Sequence, residues 1–300
     1  MIGSILQHTA STTVRVPVRG PFDLDQSIRF LTGFPPACRT DAADEPGTLR
    51  LAFPAEAGWE HVGAAVRQRS PGSIEVEIFA GEHLAGEVAA QVRRILSVDI
   101  DGVGYPHVGT TDPVVRRLQQ DLPGLRPVLF HSPYEAACWA ILSHRTRMTQ
   151  AATVKRRFAE ELGRPVEVGG QVLMSFPAPD AVAGLEVRPG VPEVKVERLR
   201  AVANAAKDGL LDAAYLRAMP VREALRWLQR LPGIGPFSAQ LILIRGAGHP
   251  DVFPAGEPRL QEAMRIAYDL PLAPPEELAE LSATWRPFRS WVAFALRNDR

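Results

Sequence analysis

The stretch that most narrows what this chain can fold into is residues 221–260, VREALRWLQRLPGIGPFSAQLILIRGAGHPDVFPAGEPRL. Val221, Ala224, Leu225 and Leu228 recur at helical spacing and give the opening segment a single apolar face. Pro232 and Gly233 stop that pattern. Gly235 and Pro236 restart it, Pro236 suiting a first helical turn because its missing N–H costs nothing there. Two helices joined by a tight glycine hairpin follow from this. The small hairpin residues let the backbone approach a partner closely, and the unpaired N–H groups opening the second helix make an anion site suited to nucleic-acid phosphate.

Beyond Arg245 the chain meets Gly246, Gly248, Pro250, Pro254 and Gly256, too many breakers for helix or strand. It then reaches Glu257, with Pro258 suited to the first position of a new helix. Glu257 is therefore expected at the N-cap, where the helix dipole favours its anion.

This ordered set resembles the helix-hairpin-helix, Gly/Pro-rich loop, Asp superfamily of base-excision DNA glycosylases, and within it the 3-methyladenine DNA glycosylase II family. Leu231-Pro232-Gly233-Ile234-Gly235 matches the family hairpin, Asp251-Val252-Phe253-Pro254 the loop, and Trp285-Arg286-Pro287-Phe288-Arg289-Ser290 a late motif. Pro21-Phe22-Asp23-Leu24, the run from His131 to Leu142, the turn Ser143-His144-Arg145-Thr146, and the segment from Pro189 to Leu199 extend the likeness over most of the chain. A lone LPGIG is common among DNA-binding proteins; the ordered set is specific.

The resemblance implies an α+β protein, with a sheet-and-helix supporting domain over residues 1–125 and an all-α helix-hairpin-helix domain over 126–300. It implies a monofunctional glycosylase that excises alkylated purines from double-stranded DNA, acting as a monomer. Glu257 stands where the family has its catalytic Asp. Glutamate keeps the charge but adds a methylene. Phe237, Leu241 and Arg297 fall at base-pocket positions; fewer of them are aromatic than in relatives, and the Arg297 cation would repel a cationic base. Gly233, Gly235 and Ser238 are the implied DNA contacts. Arg145 occupies the position of the side chain that fills the stack after base extrusion, the alternative being a solvated arginine. Backbone carbonyls of Gln229, Leu231 and Gly233 match positions that hold a monovalent cation in DNA-bound relatives. Relatives that also cleave the strand carry a Schiff-base Lys where this chain has Phe237, so lyase chemistry is not expected. The Asp-to-Glu departure keeps a rival reading open, a damage-binding protein on the same scaffold with little or no catalysis. A helical interaction module that does not touch DNA is a third.

The chain has 300 residues, enough for two domains. Cys38 and Cys138 are its only cysteines, too few for a disulfide framework or a four-cysteine iron–sulfur cluster, and both read as small buried residues. No run is long enough to span a membrane, and the N-terminus lacks the pattern of a leader, so a cytoplasmic protein is expected. Net charge is zero, but residues 1–130 sum to −3 and residues 131–300 to +3. Binding to DNA would then depend on backbone amides and a few arginines more than on a broad field.

A short helix is expected after Asp23, strands over 48–53 and 73–79 with a weaker one over 61–69, and a helix over 82–96. Turns are expected at Gly102, Gly104 and Pro106, with a short helix over 114–122. Ser132, Pro133 and Glu135 form a capping box for a core helix. A helix over 149–162, a hairpin over 169–179 and a helix bearing Lys195 and Arg198 follow, these two cations reading as solvated. His144 reads as a hydrogen-bonded structural histidine. The last helix is expected to hold Trp285, Phe288, Trp291 and Phe294, mainly as core, with pocket lining as the minority reading.

Overall fold

The computed structural model describes residues 11–37, 45–187 and 190–299; Cys38 and Pro189 lie outside them. The chain opens with an antiparallel sheet of β1 (Ser11–Pro17), β2 (Thr48–Pro54), β3 (His61–Ser70) and β4 (Ser73–Phe79), in the order β1-β4-β3-β2. Helix α1 (Leu24–Thr32) starts at Asp23, whose carboxylate accepts the Asp25 N–H at 2.9 Å. Helix α2 (Ala85–Ile95), preceded by a 3₁₀ turn over Glu82–Leu84, lays Val88, Val92 and Ile95 on the sheet. Strand β1 is not foreseen by the sequence: Val14 and Val16 alternate with polar neighbours, but the run is short and Pro17 interrupts it, as suits the edge strand it forms.

Two short helices follow, α3 (Tyr105–Thr111) and α4 (Pro113–Asp121). Pro106 opens α3 rather than making a turn, using the helix position where proline costs least. Both helices pack with the C-terminal segments: Tyr105, Val115 and Leu118 share a core with Leu260, Met264, Trp285 and Trp291. The larger helical core is built on α5 (Pro133–Ser143), α6 (Met148–Leu162), α7 (Pro179–Ala183), α8 (Glu193–Lys207), α9 (Ala213–Ala218), α10 (Val221–Leu228) and α11 (Pro236–Leu241), the last running into a π-helical turn, Ile242–Gly246. Then come α12 (Pro258–Ala267), α13 (Pro275–Leu281) and α14 (Arg289–Asn298). No helix among the described residues is long and apolar enough to cross a membrane.

Strands β5 (Arg164–Val168) and β6 (Gln171–Ser175) form a hairpin that leaves the helices and covers the second face of the sheet, where Val166 and Val168 meet Ala52, Ala65 and Phe79. Buried arginines complete the junction. Arg94 of α2 donates to the Glu56 carboxylate at 2.8 Å, to the His131 carbonyl at 2.9 Å and to the Gly246 carbonyl. Arg126 donates to the carbonyls of Pro21, Ser97, Ile100 and Arg19, and burial brings its pKa down to about 10.

Two local expectations need correction. Ser132 accepts the Glu135 N–H at 3.1 Å as a cap should, but Glu135 reaches the His131 N–H and not that of Ser132. The carboxylate is instead drawn to Lys155, 2.6 Å away. The aromatic series is also divided: Trp285 and Phe288 precede α14, because Pro287 interrupts the helical run, while Trp291 and Phe294 lie on it. Cys138 is buried as expected, and burial pushes its thiol far up.

Burial alone would raise the Glu135 carboxyl, yet Lys155 and then His131 outweigh it and hold the group well below the usual carboxylate range. Its ion pair therefore stabilises fully above the pH where the unfolded carboxyl titrates and is lost as pH falls through the lower folded value. Lys155→Met should cost about 3–5 kcal/mol in urea denaturation at neutral pH by stranding the carboxylate, and the deficit should shrink as the solution is acidified. An unchanged denaturation midpoint would show that the pair is not a structural anchor.

Candidate active site

The hairpin forms as the breakers dictate, with α10 ending at Leu228 and α11 opening at Pro236. Its two glycines do different work. Gly233 has φ +84, which favours glycine, and a Cβ there would come within 2.4 Å of Arg198 Cδ and displace that side chain. Gly235 has φ −87 and nothing within 4 Å of its would-be Cβ. A side chain at Gly235 would therefore project into open space, whereas one at Gly233 would first meet Arg198. Ser238 sits in the first turn of α11, where backbone N–H groups lack helical acceptors. In the hairpin, the Leu231 carbonyl accepts the Ile234 N–H at 3.0 Å and keeps one lone pair.

The loop after Gly246 is latched by the Trp285–Ser290 segment. Asp251 accepts from Arg289 Nε at 2.7 Å and from Arg286 Nη1 at 3.1 Å. The Ser290 hydroxyl accepts the Val252 N–H at 3.0 Å, and its own N–H donates to the Pro250 carbonyl. Asp251 is thus committed to structure. Glu257 is not: at the N-cap of α12 its side chain makes no capping bond. Its Oε1 accepts from Arg297 Nε at 2.6 Å, with both side chains about 30% exposed (27% and 31%). The Arg297 charge, expected to repel a cationic base, is engaged by Glu257.

Glu257 and Arg297 open on a cavity of about 1120 Å³. Phe237, half exposed, and Leu241 line it, as does Phe294 of the aromatic series. Four of its six aromatic lining residues are ones that the sequence does not single out, Phe30 and Phe34 at the end of α1 together with Phe130 and Trp139. Phe30 stacks on Phe34 at 4.9 Å and tilts against Phe294 at 4.8 Å. The supporting domain therefore contributes to the site. A phenylalanine pair four apart at a helix end is a local signal for a shared face, but nothing in sequence links it to Phe294.

Arg245 is a further site residue that sequence reasoning misses. Its guanidinium lies 5.2, 4.9 and 5.0 Å from the rings of Phe30, Phe34 and Phe294 and donates to the Val128 carbonyl at 2.6 Å. Burial lowers its pKa to about 10, against the nearby Glu257 charge, so it stays a cation at neutral pH. Arg29, Arg147 and Arg259 also line the cavity, making this region basic although the whole chain is neutral. No lysine lines it. Lys207, the nearest in sequence to the hairpin, pairs with Asp180.

At the end of α5, Arg145 is exposed and holds φ +52, a conformation that costs a non-glycine residue roughly 1 kcal/mol or more. His144 is exposed too, and among the described residues its ring has no hydrogen-bond partner, so it is not the structural histidine expected. Lys195 is not merely solvated: its Nζ donates to the Leu142 carbonyl at 2.7 Å and to Thr146 Oγ1 at 2.9 Å, tying α8 to this turn.

No family model matches the chain. It is 34% identical over 294 residues to a Mycobacterium tuberculosis protein named "Probable bifunctional transcriptional activator/DNA repair enzyme", covering 96% of this chain and 57% of that one. It therefore spans little more than half the length of that relative. It is 25% identical to DNA-3-methyladenine glycosylase 2 of Escherichia coli over 277 residues, 91% of this chain and 92% of the other. Among solved structures, a 3-methyladenine DNA glycosylase from Archaeoglobus fulgidus superposes with TM-score 0.78 at 21% identity, over 95% of this chain and 97% of that one.

The two hairpin glycines should separate in stability. Gly233→Ala should lower stability by about 1 kcal/mol or more, from the backbone and from displacement of Arg198. Gly235→Asp should leave stability level or slightly higher, because aspartate is a good N-cap. Thermal melts showing equal losses would overturn the distinction.

Proposed function

We propose that the chain belongs to the 3-methyladenine DNA glycosylase II family of helix-hairpin-helix glycosylases and that it is a monofunctional hydrolase releasing alkylated purines from double-stranded DNA in the cytoplasm, acting as a monomer. The observation that carries this reading is the Glu257 carboxylate opening on an aromatic cavity beside the hairpin.

Cleavage of an N-glycosidic bond leaves positive charge on the sugar, so a fixed carboxylate stabilises the developing cation and orients water. Glu257 takes that role. An alkylated purine already carries positive charge, leaves readily, and needs no strong general acid. Stacking on Phe237 and the Phe30, Phe34 and Phe294 cluster would hold the extruded base. Contact with Arg297 gives the longer Glu257 side chain a set orientation, which supports a loop adjusted to glutamate.

In this scheme Gly235, Ser238 and the first N–H groups of α11 hold phosphate of the damaged strand, and Arg145 fills the vacated stack, its strained backbone supporting that use. The carbonyls of Gln229, Leu231 and Gly233 are hard oxygen donors that would suit a monovalent cation bridging hairpin and phosphate. Such an ion takes no part in bond cleavage. Schiff-base chemistry has no lysine in the cavity to use.

Glu257→Gln should slow release of methylated purine by about 10²–10³-fold while retaining binding to abasic-site DNA. Glu257→Asp, drawn back from Arg297 by one methylene, should slow it on the order of 10²-fold. Borohydride should trap no covalent adduct with any form. If parent and variants all release base at the rate of protein-free DNA, the catalytic reading fails.

Gly235→Asp should weaken duplex binding and flatten its salt dependence by about one phosphate contact, since it places a repelling charge at the hairpin without unfolding it. Binding and salt slope equal to the parent's would remove the hairpin as the anchor.

A further inference from the structure

A second cleft, of about 560 Å³, opens between the turn after α5 and the start of α8, and nothing above gives it a role. Arg145, Thr146, Lys195 and Arg198 line it, and among the described residues no carboxylate does. Among the described residues neither Arg145 nor Arg198 has an ion-pair partner. Lys195 spends two of its three protons on Leu142 and Thr146 and keeps the third. Burial, and then the neighbouring Arg198 charge, lower its pKa, as uncompensated cations side by side should.

The position of the cleft restricts what those charges can meet. Thr146 lines both this cleft and the aromatic cavity, so the turn bearing Arg145 is the partition between them. On the far side, the Arg198 stem lies against Gly233, which makes the cleft continuous with the hairpin. A strand whose base enters the aromatic cavity runs on the Phe237 side of the partition. With Arg145 as the wedge, the side of the partition left for the unbroken strand is the one on which the cleft lies.

We propose that this cleft holds a backbone phosphate of the DNA strand opposite the extruded nucleotide, with Arg198 and the free Lys195 proton as donors. The proposal rests on the glycosylase reading. Cations without carboxylate partners favour an anion over a neutral or cationic ligand, and a phosphodiester contact of this kind reads position and not base identity. By gripping the intact strand it would hold the duplex against the wedge while the damaged strand opens.

The test uses the whole protein with three DNA probes: a duplex carrying a tetrahydrofuran abasic analogue, the same modified strand alone, and duplexes in which single phosphates of the opposite strand are replaced by neutral methylphosphonates. Arg198→Ala should lose about 10-fold in duplex affinity near 0.1 M salt, reduce the salt slope by about one, and leave single-strand affinity unchanged. Arg198→Lys should recover most of the loss, which separates charge from packing against Gly233. One methylphosphonate position should weaken the parent and leave Arg198→Ala unaffected. Equal losses on single strand and duplex, or a loss that persists at every methylphosphonate position, would overturn the proposal. If the parent releases methylated purine and binds the abasic duplex while Arg198→Ala matches it, the cleft assignment alone falls. If the parent does neither, the glycosylase reading falls and the cleft assignment with it.

Discussion

The site depends on the latch between Asp251 and Arg289. A loop with so many glycines and prolines has no regular hydrogen bonds of its own, and by itself would leave Glu257 without a defined position. The two-point contact from Arg289, the added hold of Arg286 and the Ser290 bonds to residues 249–252 anchor that loop to the start of α14. Arg297 on the same helix then meets Glu257 from the other side. One helix thus locates both ends of the loop. It also separates two acidic residues by role, one saturated by arginines and one turned to the cavity.

Charge in the cavity is arranged by the same principle. Arg245 is partly buried against three phenylalanine rings and a carbonyl, partners that hold a guanidinium without neutralising it. Its charge and that of Arg297 both lie close to the Glu257 carboxylate beside an apolar surface. In such surroundings charge interactions are stronger than in water, so a single carboxylate can do work that would be slight at an exposed position. The arginines around it supply attraction for phosphate that the zero net charge of the chain conceals.

The sheet-and-helix portion is more than a platform. It gives Phe30 and Phe34 to the cavity, accepts the β5–β6 hairpin on its outer face, and is pinned through Arg94 to the carbonyl of Gly246 just beyond the second hairpin helix. A change at this junction would be felt at the hairpin. Its cohesion comes from apolar contact and from arginines that donate to backbone oxygens left without partners in the connecting segments.

Sequence by itself determined the elements whose cause is local. Gly233, Gly235 and Pro236 specify the hairpin through allowed backbone angles and a missing N–H; Pro258 starts a helix and leaves Glu257 at its cap; Ser132 caps α5. The ordered motifs then set the α+β architecture and the reading of Glu257, Phe237 and Leu241. Tertiary structure alone decided which residues meet across the chain: Phe30 with Phe294, Arg245 with both, Arg297 with Glu257, Lys195 with the Arg145 turn, and Arg198 with Gly233. Helical periodicity reports that a face is apolar and not what covers it, and the sign of a charge does not reveal its partner. Those pairings arise only when distant segments close on one another, and there burial and Coulomb attraction choose among partners that look equivalent in one dimension.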